Sequence, residues 1–299
     1  MPCEDNPGES EVYKQMIKTR IAEELRFEIN GHKIAAKCWG DRCAPPVLAL
    51  HGWLDNAATF NRLAPQLQGV RLIALDLMGH GYSDHRPASM PYYIWDNVMD
   101  VLGVADQLGL ERVSLIGHSM GASIASLVAG AFPERVAKLV LIEGVAPLVT
   151  DPDDTAEQMA VAIKKRIRMQ GRVQKAYGDF ESAVKARMNG RWPVDTAAAE
   201  WLVERGLEQR AGGYYWRSDA NLMLPSVMRM SEDQVESFLR RVDAVTLLIL
   251  GENGIPQSDR RISLLRNVRT ERLAGGHHLH LEERPAGLIA TLINEFNLG

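Results

Sequence analysis

The sequence predicts an α/β fold: a mostly parallel central sheet flanked by helices, with a helical cap inserted late in the chain. Three observations carry this reading. Short, continuous apolar runs alternate with helical stretches from about residue 47 to 142, the pattern of parallel strands buried on both faces. The alternation stops over 147–241, where helical segments follow one another, and it resumes near residue 246. An antiparallel hairpin comes before all of it.

Residues 1–20 form a polar leader, rich in Glu4, Asp5, Glu9 and Glu11. Residues 26–29 and 32–39 read as short strands joined by Asn30-Gly31, a pair that accepts the positive φ angles of a two-residue turn. Pro45-Pro46 open the run Val47-Leu48-Ala49-Leu50, which ends at His51-Gly52-Trp53. A helix is expected over 57–67, then a buried strand over 70–75, closed by the glycine-punctuated loop 76–84. Val98, Val101, Leu102, Ala105 and Leu108 share one helical face, with Gly109 as the stop. Residues 112–116 give the next strand and 138–142 another, ending at Glu143-Gly144. Helices over 156–169, 180–188 and 196–207 make the cap, broken at Gly171, Gly178, Gly190, Pro193 and Gly212-Gly213. Strands over 246–250 and 268–273 and helices near 260–265 and 285–296, the last with Pro285 at its start, complete the core, which spans 21–146 and 242–299 around the 147–241 cap.

Composition narrows the function classes. The 299 residues carry a net charge of −4 and are 46% hydrophobic and 24% charged, so there is no basic field for nucleic acid. No charge-free run of eighteen apolar residues exists, so no membrane span is expected, and the acidic N-terminus does not read as a secretory signal. Three cysteines, Cys3, Cys38 and Cys43, do not make a disulfide framework, and a reducing cytoplasm is the expected location. No feature specifies an oligomeric state.

The strongest chemical signal is Gly117-His118-Ser119-Met120-Gly121, placed where a strand turns sharply into a small-residue helix. Glycines on both sides let strand and helix close together, which exposes the Ser119 hydroxyl. With the hairpin, the parallel strands and a late His277, this elbow resembles the α/β-hydrolase family over residues 27–298. The run 50–56, the loop 76–84 and the elbow look closest to its serine hydrolase-like, or Kraken-like, group. The resemblance implies a hydrolase of small esters or similar acyl compounds that uses no metal and no organic cofactor.

A serine hydroxyl needs a neighbouring base near pH 7. His277 is the candidate: it follows the last strand and Gly275-Gly276, and the chain order serine, acid, histidine suits this fold. His278 and His280 are its neighbours in the same loop, without a clear metal-ligand pattern. The oxyanion donors are the amides of Met120, directly after the nucleophile, and Trp53. His51, His80 and His118 each sit beside a glycine, where an imidazole can satisfy buried backbone groups; His51, Gly52, Trp53 and His118 are also substrate-contact candidates.

The acid departs from the family pattern. Where Gly-x-x-Asp is usual, the chain reads Gly251-Glu252-Asn253-Gly254. Some relatives, a subset of haloalkane dehalogenases among them, keep their acid after the preceding strand, and here that position is Glu143; Glu252, then Asn253, are the alternatives. In the cap, residues 213–217 concentrate Tyr214, Tyr215 and Trp216 beside Arg217, which favours a partly apolar substrate or anchors the cap. Lys164, Lys165, Arg166 and Arg168 form either a solvated face or a guide for an anionic substrate. The expected activity is ester or thioester hydrolysis of a small molecule through an acyl-enzyme on Ser119, His277 and Glu143. C–C bond hydrolysis, cofactor-free perhydrolysis and a non-catalytic ligand-binding role on the same scaffold are the alternatives.

Overall fold

A computed structural model describes residues 22–169, 174 and 176–299; the expected leader, Cys3 and the break at Gly171 lie outside these. Ten strands are found among them: β1 Glu23–Ile29, β2 His32–Trp39, β3 Pro46–Leu50, β4 Arg71–Leu75, β5 Val113–His118, β6 Val136–Ile142, β7 Leu207–Arg210, β8 Gly213–Trp216, β9 Val245–Asn253 and β10 Val268–Gly276. Eight form one sheet in the order β1-β2-β4-β3-β5-β6-β9-β10. β2 pairs antiparallel with both β1 and β4, and every other pairing in this sheet is parallel. The hairpin turn takes positive φ at both Asn30 (52°) and Gly31 (78°), as its sequence requires.

Period-two alternation in the central strands builds a core on each face of the sheet. Leu48, Leu50, Leu115, Leu139, Leu141, Leu248 and Leu250 pack with Val101 and Val104 of helix Asp96–Gln107 and with Ile124 and Val128 of helix Met120–Ala131. Val47, Ala49, Ile116, Val140, Ile142, Leu247 and Ile249 face the other way, onto Phe60, Leu63 and helix Glu283–Phe296. All fourteen of these strand side chains are buried, each worth about 1.5–3 kcal/mol for the larger aliphatics.

Two elements differ from expectation. The helix expected over 57–67 is two 3-10 turns, Ala57–Phe60 and Ala64–Gln66, because Pro65 has no amide to donate and forces a break. The aromatic stretch in the cap is strand β8, paired with β7. Gly212 and Gly213 supply the positive φ of that turn.

The 147–241 segment divides between two environments. Helices Phe180–Met188 and Thr196–Gly206 share a small core of their own, with Ala183, Val184, Ala199 and Val203 buried. Helix Glu232–Leu239 instead joins the main core through Val235 and Leu239 and lies on the helix that follows Ser119, where Arg241 Nε donates to Gly130 O at 2.9 Å. Helix Thr155–Met169, which carries the basic cluster, buries only Ala162.

The 147–241 segment is joined to the rest of the fold by polar contacts, several of them buried. Arg205 Nε meets both oxygens of Asp76 at 3.0 and 2.9 Å, and its terminal nitrogens meet Glu24 at 2.6 and 3.0 Å. Asn56 Nδ2 donates to Leu202 O at 2.9 Å, and Trp53 Nε1 donates to Leu222 O at 3.0 Å. Among the described residues, no helix is long and apolar enough to cross a membrane.

Candidate active site

Four parallel strands deliver the site to one edge of the sheet, their carboxyl ends: Gly52 and Trp53 follow β3, Ser119 follows β5, Glu143 follows β6, and His277 follows β10. Ser119 sits at φ 52° and ψ −111°, a strained turn for a residue with a side chain. The close approach that permits it depends on two glycines. A Cβ on Gly117 would strike the Gly121 carbonyl, and one on Gly121 would strike the Leu50 carbonyl. The Ser119 amide is held by Ile142 O at 2.9 Å, so the nucleophile turn is fastened to the end of β6.

Five described residues other than glycine have positive φ: Asn30, Leu54, Ser119, Glu143 and Asn297. Asn30 is in the hairpin turn and Asn297 caps the last helix. The remaining three lie in the Trp53 turn, the elbow and the candidate acid, so the unexplained backbone strain concentrates here.

His277 Nε2 is 3.0 Å from Ser119 Oγ, and its Nδ1 is 3.1 Å from Glu143 Oε2. The Glu143 side chain is fully buried and that of His277 nearly so. The Glu143 carboxylate also accepts from Gly251 N at 2.6 Å through Oε1 and from Ile255 N at 2.8 Å through Oε2, contacts that orient it. Glu252, the alternative acid, is exposed, as is Asn253, and neither contacts His277. A hydroxyl, an imidazole and a carboxylate in this line can pass a proton from Oγ to Nε2 and stabilise the imidazolium that results.

Met120 is the first residue of the helix after the elbow, so its amide has no partner within the helix. Among the described residues, neither it nor the Trp53 amide donates to a main-chain carbonyl of a turn or loop. The Trp53 ring is 47% exposed.

Four other histidines are buried supports of the fold. His51 is fully buried, with Nδ1 on Gly52 O at 2.7 Å and Nε2 accepting from Leu77 N at 3.0 Å. His80 Nε2 accepts from Leu54 N at 3.2 Å, shaping the turn that carries Trp53. Burial lowers His51 to about 4 and His80 to about 3 and keeps both neutral. His118 Nε2 meets His277 O at 2.8 Å, and its ring is fully buried. The sequence reading is corrected for His51 and His118 as substrate contacts: neither side chain has accessible surface, and His51 has both ring nitrogens on main-chain groups, while His118 commits Nε2 to His277 O and keeps Nδ1 buried. His280 meets Thr59 Oγ1 at 2.8 Å.

Sequence reasoning missed the cap residues that reach the site. Trp192 lays its ring 4.8 Å from that of His277, and Arg187 Nη2 donates to Asp55 Oδ1 at 3.0 Å. Asp55 is buried; burial pushes its carboxyl up, but His278, Arg187 and His118 outweigh this and hold it well below the usual carboxylate range. Asp55, His118 and His278 bring ligand atoms within 4.8 Å of one another, yet the Arg187 guanidinium already supplies the positive charge at that cluster. The aromatic residues of β8 serve the cap itself: Trp216 packs edge-on to Tyr177 at 5.9 Å and contributes to the cap core. A separate surface cavity of about 640 Å³, lined by residues including Asn30, Trp95, Met99 and Phe132, shares no residue with the Ser119 site.

With this geometry in place, the comparisons with known proteins agree with one another. A family model described as alpha/beta hydrolase fold matches residues 45–189. The chain is 33% identical to a serine hydrolase-like protein of Dictyostelium discoideum, over 88% of this chain and 79% of the relative. It is 31% identical to a serine hydrolase-like protein of Danio rerio, over 93% and 89% of the two chains. Among solved structures, the crystal structure of a hypothetical protein from Pseudomonas aeruginosa PAO1 is 43% identical, covers 92% of this chain and 99% of its own, and superposes with a TM-score of 0.87. An elbow serine at the sheet edge, a parallel core with a leading hairpin and relatives that align over nearly the whole length place this chain in the alpha/beta hydrolase fold family, among the serine hydrolase-like proteins.

Proposed function

We propose that the protein hydrolyses the ester or thioester bond of a small, partly apolar molecule through an acyl-enzyme on Ser119, with His277 as base and Glu143 as the acid that orients it. The observation that carries the reading is the unbroken line from Ser119 Oγ to His277 Nε2 at 3.0 Å and from His277 Nδ1 to Glu143 at 3.1 Å. In the acylation step, Oγ attacks the acyl carbon and its proton passes to Nε2. The carbonyl electron pair moves onto oxygen, where the Trp53 and Met120 amides receive it. When the carbon–oxygen or carbon–sulfur bond to the leaving group breaks, Nε2 returns the proton to the departing alkoxide or thiolate. Water then attacks the Ser119 ester by the same path, its proton going to Nε2, and the acid is released with Oγ reprotonated. Glu143 compensates the charge of the imidazolium. Gly52 and the exposed face of Trp53 are the remaining substrate-contact candidates from the core.

The test is covalent labelling with a fluorophosphonate probe, followed by turnover of p-nitrophenyl esters and acyl thioesters of rising chain length. Stoichiometric labelling that vanishes in Ser119→Ala, together with ester turnover, is the expected outcome. Folded protein that neither labels nor turns over any acyl substrate would establish a non-catalytic role.

A further inference from the structure

Arg187 lies in the last turn of helix Phe180–Met188 with its side chain turned inward, only 15% exposed. One guanidinium there serves three segments. Nη2 donates to Asp55 Oδ1 at 3.0 Å and lies 3.2 Å from His278 Nε2, while Nη1 donates to the Trp192 carbonyl at 3.0 Å. Asp55 closes the turn that bears Trp53, since its amide donates to Gly52 O at 3.2 Å, and its Oδ2 faces His278 Nε2 at 3.0 Å. His278 directly follows His277, and Trp192 covers the His277 ring from the cap side at 4.8 Å. The oxyanion turn, the histidine loop and the cap stretch over the imidazole therefore meet at one buried cation.

Resting on the hydrolytic reading of Ser119 and His277, we propose that Arg187 is a positioning residue for that reaction: it fixes Trp192 against His277 and locks the Trp53 turn through Asp55. The chemistry requires arginine. A planar fork can satisfy a carboxylate and a carbonyl in different directions at once, whereas a lysine ammonium is a point charge on a flexible stem. Removing the fork frees both the turn that carries an oxyanion donor and the ring that covers the base. A displacement of about 1 Å at such groups costs on the order of 10²-fold in rate.

The experiment compares wild type, Arg187→Ala and Arg187→Lys in hydrolysis of p-nitrophenyl acetate, with folding checked by circular dichroism at the assay temperature. The expected result is a fall in kcat of about 10²-fold for Arg187→Ala with KM changed far less. Arg187→Lys stays at least tenfold down, and guanidinium chloride at non-denaturing concentration restores Arg187→Ala at least tenfold while leaving wild type unchanged. A kcat within twofold of wild type overturns the proposal, as does a fall that guanidinium does not relieve. If Arg187→Ala does not fold, Arg187→Lys decides, with wild-type kcat as the overturning result. If wild type neither labels nor turns over any ester, the hydrolytic reading fails by itself. Hydrogen exchange at 188–192 and 276–281 then tests the lock, and identical exchange in wild type and Arg187→Lys overturns it.

Discussion

The Glu143 carboxylate lies in the space that a side chain on Gly254 would fill: a Cβ built there overlaps both carboxylate oxygens. Gly254 stands four residues into the Gly251-Glu252-Asn253-Gly254 turn, where the family pattern places its aspartate. A carboxylate from the end of β6 thus occupies the volume that an aspartate from the end of β9 would otherwise take. The two positions are mutually exclusive routes to one contact with His277.

The first prediction concerns that contact. Glu143→Gln should lower kcat by roughly 10⁴, as loss of the acid does in a serine-protease triad, because an amide can hold the wrong tautomer and cannot compensate the imidazolium. Glu252→Gln should leave kcat nearly unchanged. Steady-state kinetics on both purified variants checks this, and the reverse ranking would remove Glu143 from the role.

Steric exclusion gives a second prediction. Gly254→Ala should displace the Glu143 carboxylate and reduce kcat by at least about tenfold, since a misplaced catalytic group loses rate steeply. The double variant Glu143→Gly, Gly254→Asp should recover part of the activity that Glu143→Gly loses. No recovery in a folded double variant would count against the shared volume.

Stability should fall in acid before the carboxylates titrate. Burial lowers His51 to about 4 and His80 to about 3 from an ordinary value of 6.5, and it also holds His118 and His280 well below that value. Depressed histidines stay neutral in the folded protein while the unfolded chain takes up protons, so the loss begins as pH drops below about 6.5 and runs to about 4 for His51 and about 3 for His80. Each group contributes a slope of up to about 1.4 kcal/mol per pH unit in that window. Urea unfolding at pH 7.5, 6 and 5 measures it; equal unfolding free energies at 7.5 and 5 would refute the claim.

Arg205 is expected to anchor the cap by compensating Asp76, whose side chain is fully buried and also accepts from Ala57 N and Tyr82 N at 2.8 Å each. Arg205→Met strands that carboxylate and should cost about 3–5 kcal/mol in thermal or chemical unfolding. Adding Asp76→Asn should return much of the loss. A single variant as stable as wild type would show that solvent reaches Asp76.

Within the cap, exchange rates should form a gradient. Helix Thr155–Met169, with Ala162 its one buried residue, should exchange fastest, helices Phe180–Met188 and Thr196–Gly206 more slowly, and β5 slowest of all. Hydrogen exchange with peptide resolution reads the order directly, and protection of 155–169 equal to that of β5 would contradict it.

What the sequence determined by itself is what depends on near neighbours. The Asn30-Gly31 turn, the buried apolar strands, the elbow glycines and the stop at Gly109 are local steric facts, so the order of elements along the chain and Ser119 were legible. His277 was legible because it follows the last strand and Gly275-Gly276, in the chain order serine, acid, histidine that suits this fold. Tertiary structure decided the rest. Glu143 rather than Glu252 faces His277 because the register of β6 against β9 pairs Ile142 with Ile249 and leaves Glu143 beside the Gly251 amide. His51 and His118 became buried supports, although their positions beside glycines matched those of ligand contacts. Arg187 and Trp192 carried no signal at all, since they lie about seventy residues after the elbow in a helical stretch of ordinary composition. Their meeting with Asp55 and His277 is set by how the cap docks, and docking depends on the combined shape and charge of two surfaces that no single stretch of the chain encodes.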